Sequence, residues 1–141
     1  MLLKQTIRQN SMPNQRSLIL VDDSLIEGML VEESVEVSET FTVFRHVVDS
    51  RQATSVIVAE KPDVVLLDLR MPGLSGWEVL TQLRKANILA ATFVAILSNS
   101  NSPSDRSEAQ VRGAHSYFVK PMDSRGYGDI IDAVAKQIGA K

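Results

Sequence analysis

Four uninterrupted apolar runs, each of strand length, constrain the fold of this chain more than any other feature. They cover residues 18–21, 64–67, 93–97 and 117–119, and a fifth run, residues 41–48, is interrupted by polar side chains. A strand that is apolar on both faces suits a parallel sheet covered by helices on either side. The runs therefore predict five strands of such a sheet.

The segments between these runs have helical spacing. Ser24 and Glu27 have the spacing of a capping box before a helix that contains Gly28 in its interior, at a cost of about 1 kcal/mol. Further helices are predicted near 51–60, from Trp77 onward, and over 104–112 with Gly113 at the C-cap. The clearest is the C-terminal helix, whose apolar stripe is Ile130, Ile131, Val134, Ala135 and Ile138.

Strands and helices thus alternate five times along the chain, which favours an open, doubly wound α/β fold with right-handed crossovers. Five strands are too few for a closed eight-stranded barrel. We expect a flavodoxin-like (βα)5 arrangement with a five-stranded parallel sheet in the order 2-1-3-4-5. In that order a ligand site lies beyond the carboxyl ends of the first and third strands.

Composition limits the functional classes. The 141 residues fit one domain, predicted over 17–141, and the absence of cysteine excludes thiolate metal sites. Residues 1–16 are rich in Gln, Asn, Ser and Thr and contain Pro13, which predicts a flexible arm. A net charge of −2 with dispersed cations argues against direct nucleic-acid binding. We find no signal-peptide core or apolar stretch of membrane-spanning length, and expect no membrane association and a cytoplasmic location.

Polar residues follow the predicted strands at a single edge of the sheet. Asp22 and Asp23 follow the first strand, Asp68 the third, Ser98 the fourth and Lys120 the fifth. The Asp and Ser residues could simply form turns or helix caps, and Lys120 could be a solvated loop residue. Together, however, three crowded carboxylates would repel one another by about 4 kcal/mol per pair at 4 Å, which calls for a cation. An all-oxygen site suits Mg²⁺, with Mn²⁺ as an alternative.

The motifs VDD, LLDLRMPGLSG and YFVKP, in this order and spacing, resemble the receiver domain of two-component response regulators over about residues 17–139. The resemblance implies that Asp68 is the phosphoacceptor, that Asp23 binds Mg²⁺ directly, and that Asp22 binds it directly or through water. It also implies that the backbone carbonyl of Arg70 completes the metal ligands. Lys120 would pair with the carboxylate and then with the phosphoryl oxygens.

The same resemblance assigns Ser98 and Tyr117 as a switch pair that responds to the phosphoryl group. It implies a phosphohistidine donor, on a sensor histidine kinase or a histidine phosphotransfer protein, and output through protein contact or a phosphorelay. Homodimerisation through the fourth helix, fifth strand and fifth helix is a further expectation. A cis bond before Pro121 is expected from the family. The loop 98–104 and the motif HSYFVKP are weakly similar to single-domain receivers that serve phytochrome-type kinases.

Three other functions compete with this interpretation. A haloacid-dehalogenase-like phosphatase also attacks phosphate with a strand-end Asp, but it requires a second Asp where this chain has Arg70. For a small-molecule binding domain, this chain lacks the expected glycine-rich loop after the first strand, where Asp22 and Asp23 would repel a nucleotide phosphate unless a metal intervened. A pseudo-receiver, which uses the fold only as a docking surface, stays open as an alternative.

Overall fold

A computed structural model describes residues 16–139, so the predicted arm lies outside the described residues except for Arg16. Five parallel strands form one sheet in the order β2-β1-β3-β4-β5, as predicted. The strands are β1 Ser17–Val21, β2 Val43–Val47, β3 Val64–Leu67, β4 Phe93–Ser98 and β5 Ser116–Val119. The helices are α1 Leu25–Val37, α2 Ala53–Glu60, α3 Gly76–Lys85, α4 Pro103–Val111 and α5 Ser124–Gln137, with a 3₁₀ turn at Ser50–Gln52 before α2.

Helices cover both faces of the sheet, which explains why its central strands are apolar throughout. Along β1, Leu18 and Leu20 pack with α1 and α5, whereas Ile19 and Val21 pack with α2, α3 and α4. All four side chains are at most 1% exposed. Burying each contributes roughly 1.5 to 3 kcal/mol. At the edge of the sheet, β5 is only half-buried.

The N-terminus of α1 confirms half of the predicted capping box. Ser24 accepts a hydrogen bond from the backbone N–H of Glu27, at 3.1 Å. The N–H of Ser24 donates to Asp22 Oδ1 at 2.9 Å instead of to Glu27. A complete capping box, which was not predicted, occurs at α3 between Ser75 and Glu78.

The glycine inside α1 makes room for a histidine of β2. A Cβ atom at Gly28 would lie 2.2 Å from Nδ1 of His46. The His46 ring fills this space and donates from Nε2 to the carbonyl of Asp22, at 2.7 Å. Gly28 therefore lets His46 support the backbone at the end of β1.

Two elements begin two residues later than predicted. The strand expected over 41–48 is confined to Val43–Val47, because only these residues pair in register with β1. The helix expected over 51–60 begins at Ala53, since Ser50–Gln52 forms a tighter 3₁₀ turn. Within residues 16–139, no helix combines the length and hydropathy required to span a membrane.

Candidate functional site

Strand register places the aspartates that follow β1 and β3 side by side. Val21 and Leu67, the last residues of β1 and β3, are register partners. The next residues, Asp22 and Asp68, are therefore neighbours at the carboxyl edge of the sheet. The N–H of Asp68 continues the ladder by donating to the carbonyl of Val21, at 3.0 Å.

Ser98 and Lys120 reach the same edge through the pairing of β4 and β5. Ser98 is the register partner of Val119, and the N–H of Lys120 donates to the Ser98 carbonyl at 2.8 Å. Ser98 is 2% exposed. The fold thus brings Asp22, Asp68, Ser98 and Lys120 to one edge of the sheet, and we call this group of side chains the pocket.

Three carboxylates form a group that could hold a metal ion. One oxygen from each of Asp22, Asp23 and Asp68 lies within 4.8 Å of the others. Asp22 and Asp68 are buried, whereas Asp23 is exposed. Oδ2 of Asp22 is buried and faces the Lys120 ammonium. Oxygen donors of this kind fit a hard divalent cation.

Lys120 supplies the positive charge that the carboxylates require when no metal is bound. Its Nζ lies 3.1 Å from Oδ2 of Asp22, 3.5 Å from Oδ2 of Asp68 and 4.0 Å from Oε1 of Glu27. Burial acts to lower the pKa of Lys120, but the Asp22 and Asp68 carboxylates outweigh it, so the pKa lies above its ordinary value. Lys120 is therefore a cation at neutral pH.

The environment of Asp68 disfavours its charged form. Burial, followed by the neighbouring charge of Asp22, raises the pKa of Asp68 from 3.8 to about 6. Lys120 and the backbone N–H groups of Leu69 and Arg70 oppose this increase. The Asp68 carboxylate is therefore poorly solvated, and a bound cation would stabilise its charged form.

The peptide bond between Lys120 and Pro121 is trans, so the prediction of a cis bond is wrong. The trans form is the more stable one for a bond to proline, by about 0.5 to 1 kcal/mol. Because Lys120 already reaches Asp22 and Asp68 with a trans bond, its position gives no reason to adopt the less stable isomer.

A tyrosine of α5 also contributes to this pocket, and its role was not predicted from the sequence. The hydroxyl of Tyr127 donates to Oε2 of Glu27, whose other oxygen faces Lys120. Tyr127 is 4% exposed, and burial together with the bond to Glu27 raises its pKa. Tyr127 lies three residues before Ile130, a spacing typical of the buried face of a helix, and no sequence signal connects it with Glu27.

Two small residues hold the segment after Asp68 in place. A Cβ atom at Gly76 would lie 2.1 Å from the carbonyl oxygen of Asp68, so only glycine lets α3 begin this close to the backbone of the site. Ser50 is buried; its hydroxyl donates to the Pro72 carbonyl and accepts from the Leu74 N–H. Gly76 is part of the LLDLRMPGLSG motif, and Ser50 lies in residues 49–53, which resemble the segment that opens the second helix of receiver domains.

The predicted switch residues are connected through the loop that follows β4. The N–H of Ser100 donates to Oγ of Ser98 at 3.1 Å, and the hydroxyl of Tyr117 donates to the Ser100 carbonyl at 2.8 Å. The guanidinium of Arg106 lies over the Tyr117 ring, 4.8 Å from its centroid. Ser98 and Tyr117 therefore have a common bonding partner.

Comparison with known proteins identifies the family. Residues 18–133 match the model of the response regulator receiver domain, which covers most of the chain. The chain belongs to this family. It is thus a signalling domain of the two-component type with a flavodoxin-like fold, as the resemblance predicted.

Individual relatives agree with this assignment. The chain is 31% identical over 131 residues to the sporulation initiation phosphotransferase F of Bacillus subtilis, covering 92% of this chain and 98% of that protein. It is 31% identical over 114 residues to the nitrate/nitrite response regulator NarL of Escherichia coli, covering 79% of this chain but only 52% of that protein. The response regulator domain of Thermotoga maritima CheB has the same fold, with a TM-score of 0.77 at 23% identity, over 90% of this chain and 98% of that one.

Proposed function

We propose that this chain is a phosphorylation-dependent switch in which Asp68 accepts a phosphoryl group from a phosphohistidine donor in a Mg²⁺-dependent reaction. The observation that carries the proposal is the buried Asp68 carboxylate, 3.5 Å from the Lys120 ammonium and next to two further carboxylates. The receiver domain would occupy residues 17–141, preceded by an arm over 1–16. The matched range, 18–133, supports this division.

The metal would be held by Asp22, Asp23, Asp68 and the backbone carbonyl of Arg70. When bound, Mg²⁺ neutralises the carboxylates and the charge on the equatorial phosphoryl oxygens. The oxygen donors are equally suited to Mn²⁺, which we expect to substitute. The three carboxylate oxygens that lie within 4.8 Å of one another support a cation at this position.

In the transfer step, an oxygen of the Asp68 carboxylate attacks the phosphorus of the donor. A new P–O bond forms while the P–N bond to the donor imidazole breaks, and its electron pair returns to the ring nitrogen. Lys120 is close enough to Asp68 to follow the phosphoryl oxygens after transfer. The Ser98 hydroxyl would donate a hydrogen bond to the same group.

An apolar surface beside the pocket would receive the donor protein. Leu25, Ile26 and Met29 of α1 are between 67% and 71% exposed, and Met122 is fully exposed. Leu25 begins the helix that follows the acidic pair, and Met122 follows Lys120 by two residues, so both segments lead directly from the pocket. A sensor kinase or phosphotransfer protein that covers these side chains would bring its phosphohistidine to Asp68.

Output would depend on the Ser98–Tyr117 pair. A phosphoryl group that draws Ser98 inward would change its bond to Ser100, and Ser100 also holds Tyr117. The altered surface of α4, β5 and α5 would then bind a target protein or a second copy of the chain. Similarity to a sporulation phosphotransferase over nearly its whole length also supports a relay role, in which Asp68 passes the phosphoryl group onward.

The direct test is phosphorylation with a small donor. We expect acetyl phosphate and Mg²⁺ to add one phosphoryl group to the wild-type protein, detected by intact mass, and to add none to Asp68→Asn or in EDTA. An adduct that persists in Asp68→Asn would place the acceptor elsewhere. A wild-type protein that is never modified, although it binds a partner, would indicate a pseudo-receiver.

A further inference from the structure

One carboxylate of α4 contacts both the segment that follows β3 and the segment that follows β4. Asp105 lies in the first turn of α4, and its side chain is 19% exposed. Its Oδ2 accepts from Nη2 of Arg70 at 3.1 Å and from the hydroxyl of Ser100 at 2.6 Å. Arg70 is two residues past Asp68 and Ser100 is two residues past Ser98. Asp105 thus connects the segments after β3 and β4.

Both partners of Asp105 lie two residues after a side chain that takes part in the proposed phosphoryl transfer. Ser100 donates its N–H to Oγ of Ser98 and accepts at its carbonyl from Tyr117, so it is fixed at three atoms when the bond to Asp105 is included. Arg70 differs, because its side chain is 68% exposed and its described partner is Asp105. A guanidinium is well suited to bind phosphate oxygens in a bidentate manner.

We propose that Asp105 is a positioning residue that restrains phosphorylation of Asp68 by holding the Arg70 guanidinium on α4. This inference rests on the proposed function and extends it to a residue outside the family motifs of the pocket. While Asp105 holds it on α4, the Arg70 guanidinium is paired with a carboxylate and is not available to an incoming phosphate. Without the Asp105 charge, Arg70 is free to contact the dianionic donor.

Substitution with asparagine isolates this effect. Asp105→Asn keeps an oxygen that can accept from the Ser100 hydroxyl, but it removes the charge that binds Arg70. Glu108→Gln is the matched control, because it removes the same charge from the same helix, where Glu108 pairs with Arg112 at 2.7 Å. A general change in the electrostatic potential of α4 would affect both variants alike.

The test measures initial rates of Asp68 phosphorylation over a range of acetyl phosphate concentrations. We expect Asp105→Asn to lower the half-saturating concentration about two- to fivefold, the range that corresponds to the energy of an exposed ion pair, with little change in the maximal rate. Glu108→Gln should behave as wild type. In an Arg70→Gln background, Asp105→Asn should have no effect, since the charge that it releases is absent.

The outcomes separate this inference from the proposed function. No adduct on Asp68 of the wild-type protein would overturn both. Normal labelling of the wild type, with an Asp105→Asn variant that is folded by circular dichroism and has an unchanged half-saturating concentration, would overturn only the role of Asp105. An equal effect of Asp105→Asn in the presence and absence of the Arg70 side chain would also overturn it.

Discussion

Replacing Asp68 with asparagine tests the electrostatics of the pocket without any phosphodonor. The folded-state pKa of Asp68 is raised from 3.8 to about 6. A carboxyl group with a raised folded-state pKa favours the folded protein fully below its unfolded pKa, and this contribution is lost as the pH rises through about 6. At neutral pH the ionised Asp68 therefore destabilises the metal-free protein.

The size of this effect follows from the shift. About two pKa units correspond to roughly 3 kcal/mol at about 1.4 kcal/mol per unit. Solvent at the pocket mouth and the loss of a partner for Lys120 reduce the gain from Asp68→Asn, and we expect about 1 to 2 kcal/mol. The variant should be more stable than wild type by this amount near pH 7.5 in EDTA, and the difference should disappear near pH 4.

Urea unfolding followed by circular dichroism, at several pH values in EDTA, measures the difference. Asp129→Asn is the control, because it makes the same substitution at an exposed position of α5 and should change stability by less than about 0.5 kcal/mol. Mg²⁺ should reverse the order by stabilising the wild type, by about 2.7 kcal/mol at roughly a hundred times its Kd. A gain for Asp68→Asn that does not vary with pH, or a loss near pH 7.5, would refute the reasoning.

Two further predictions concern α1. Met29→Asp should slow phosphotransfer about tenfold from a phosphohistidine protein that labels the wild type, because it places a charge in the proposed donor surface. Labelling by acetyl phosphate should be unchanged. Equal slowing with both donors would argue against that surface. Gly28→Ala should destabilise the protein by about 1 to 2 kcal/mol in urea unfolding, because its Cβ would lie 2.2 Å from the His46 ring. The same substitution should be stabilising in a His46→Ala background, as expected for a helix interior, and a loss there would mean that His46 is not the cause.

The sequence was sufficient to predict the sheet and the location of the pocket. Apolar runs without alternation specify buried parallel strands, and in parallel strands the residues after each run meet at one edge. The sequence alone therefore places Asp22, Asp68, Ser98 and Lys120 together. Their roles as metal ligands, phosphoacceptor and phosphate ligands came from the family resemblance and stay predictions.

Side-chain partners could not be predicted in the same way, because they depend on contacts between distant elements. Glu27 had the spacing of a capping box, but Asp22 accepts the N–H of Ser24, and Glu27 instead bonds Tyr127, a hundred residues away. Asp105 had only the position of an acidic residue in a first helical turn, which is a common stabilising feature. Nothing local indicated that it binds Arg70.

The bonds around Ser100 also bear on how the pocket would communicate with the outer surface. Ser98 and Tyr117 do not need to contact each other, since one peptide segment joins them: the Ser100 N–H is bonded to Ser98, and its carbonyl to Tyr117. Asp105 holds the hydroxyl of the same residue. A phosphoryl group that competes for Ser98 or Arg70 would therefore act on Ser100 from two directions, and the position of Tyr117 would respond to both.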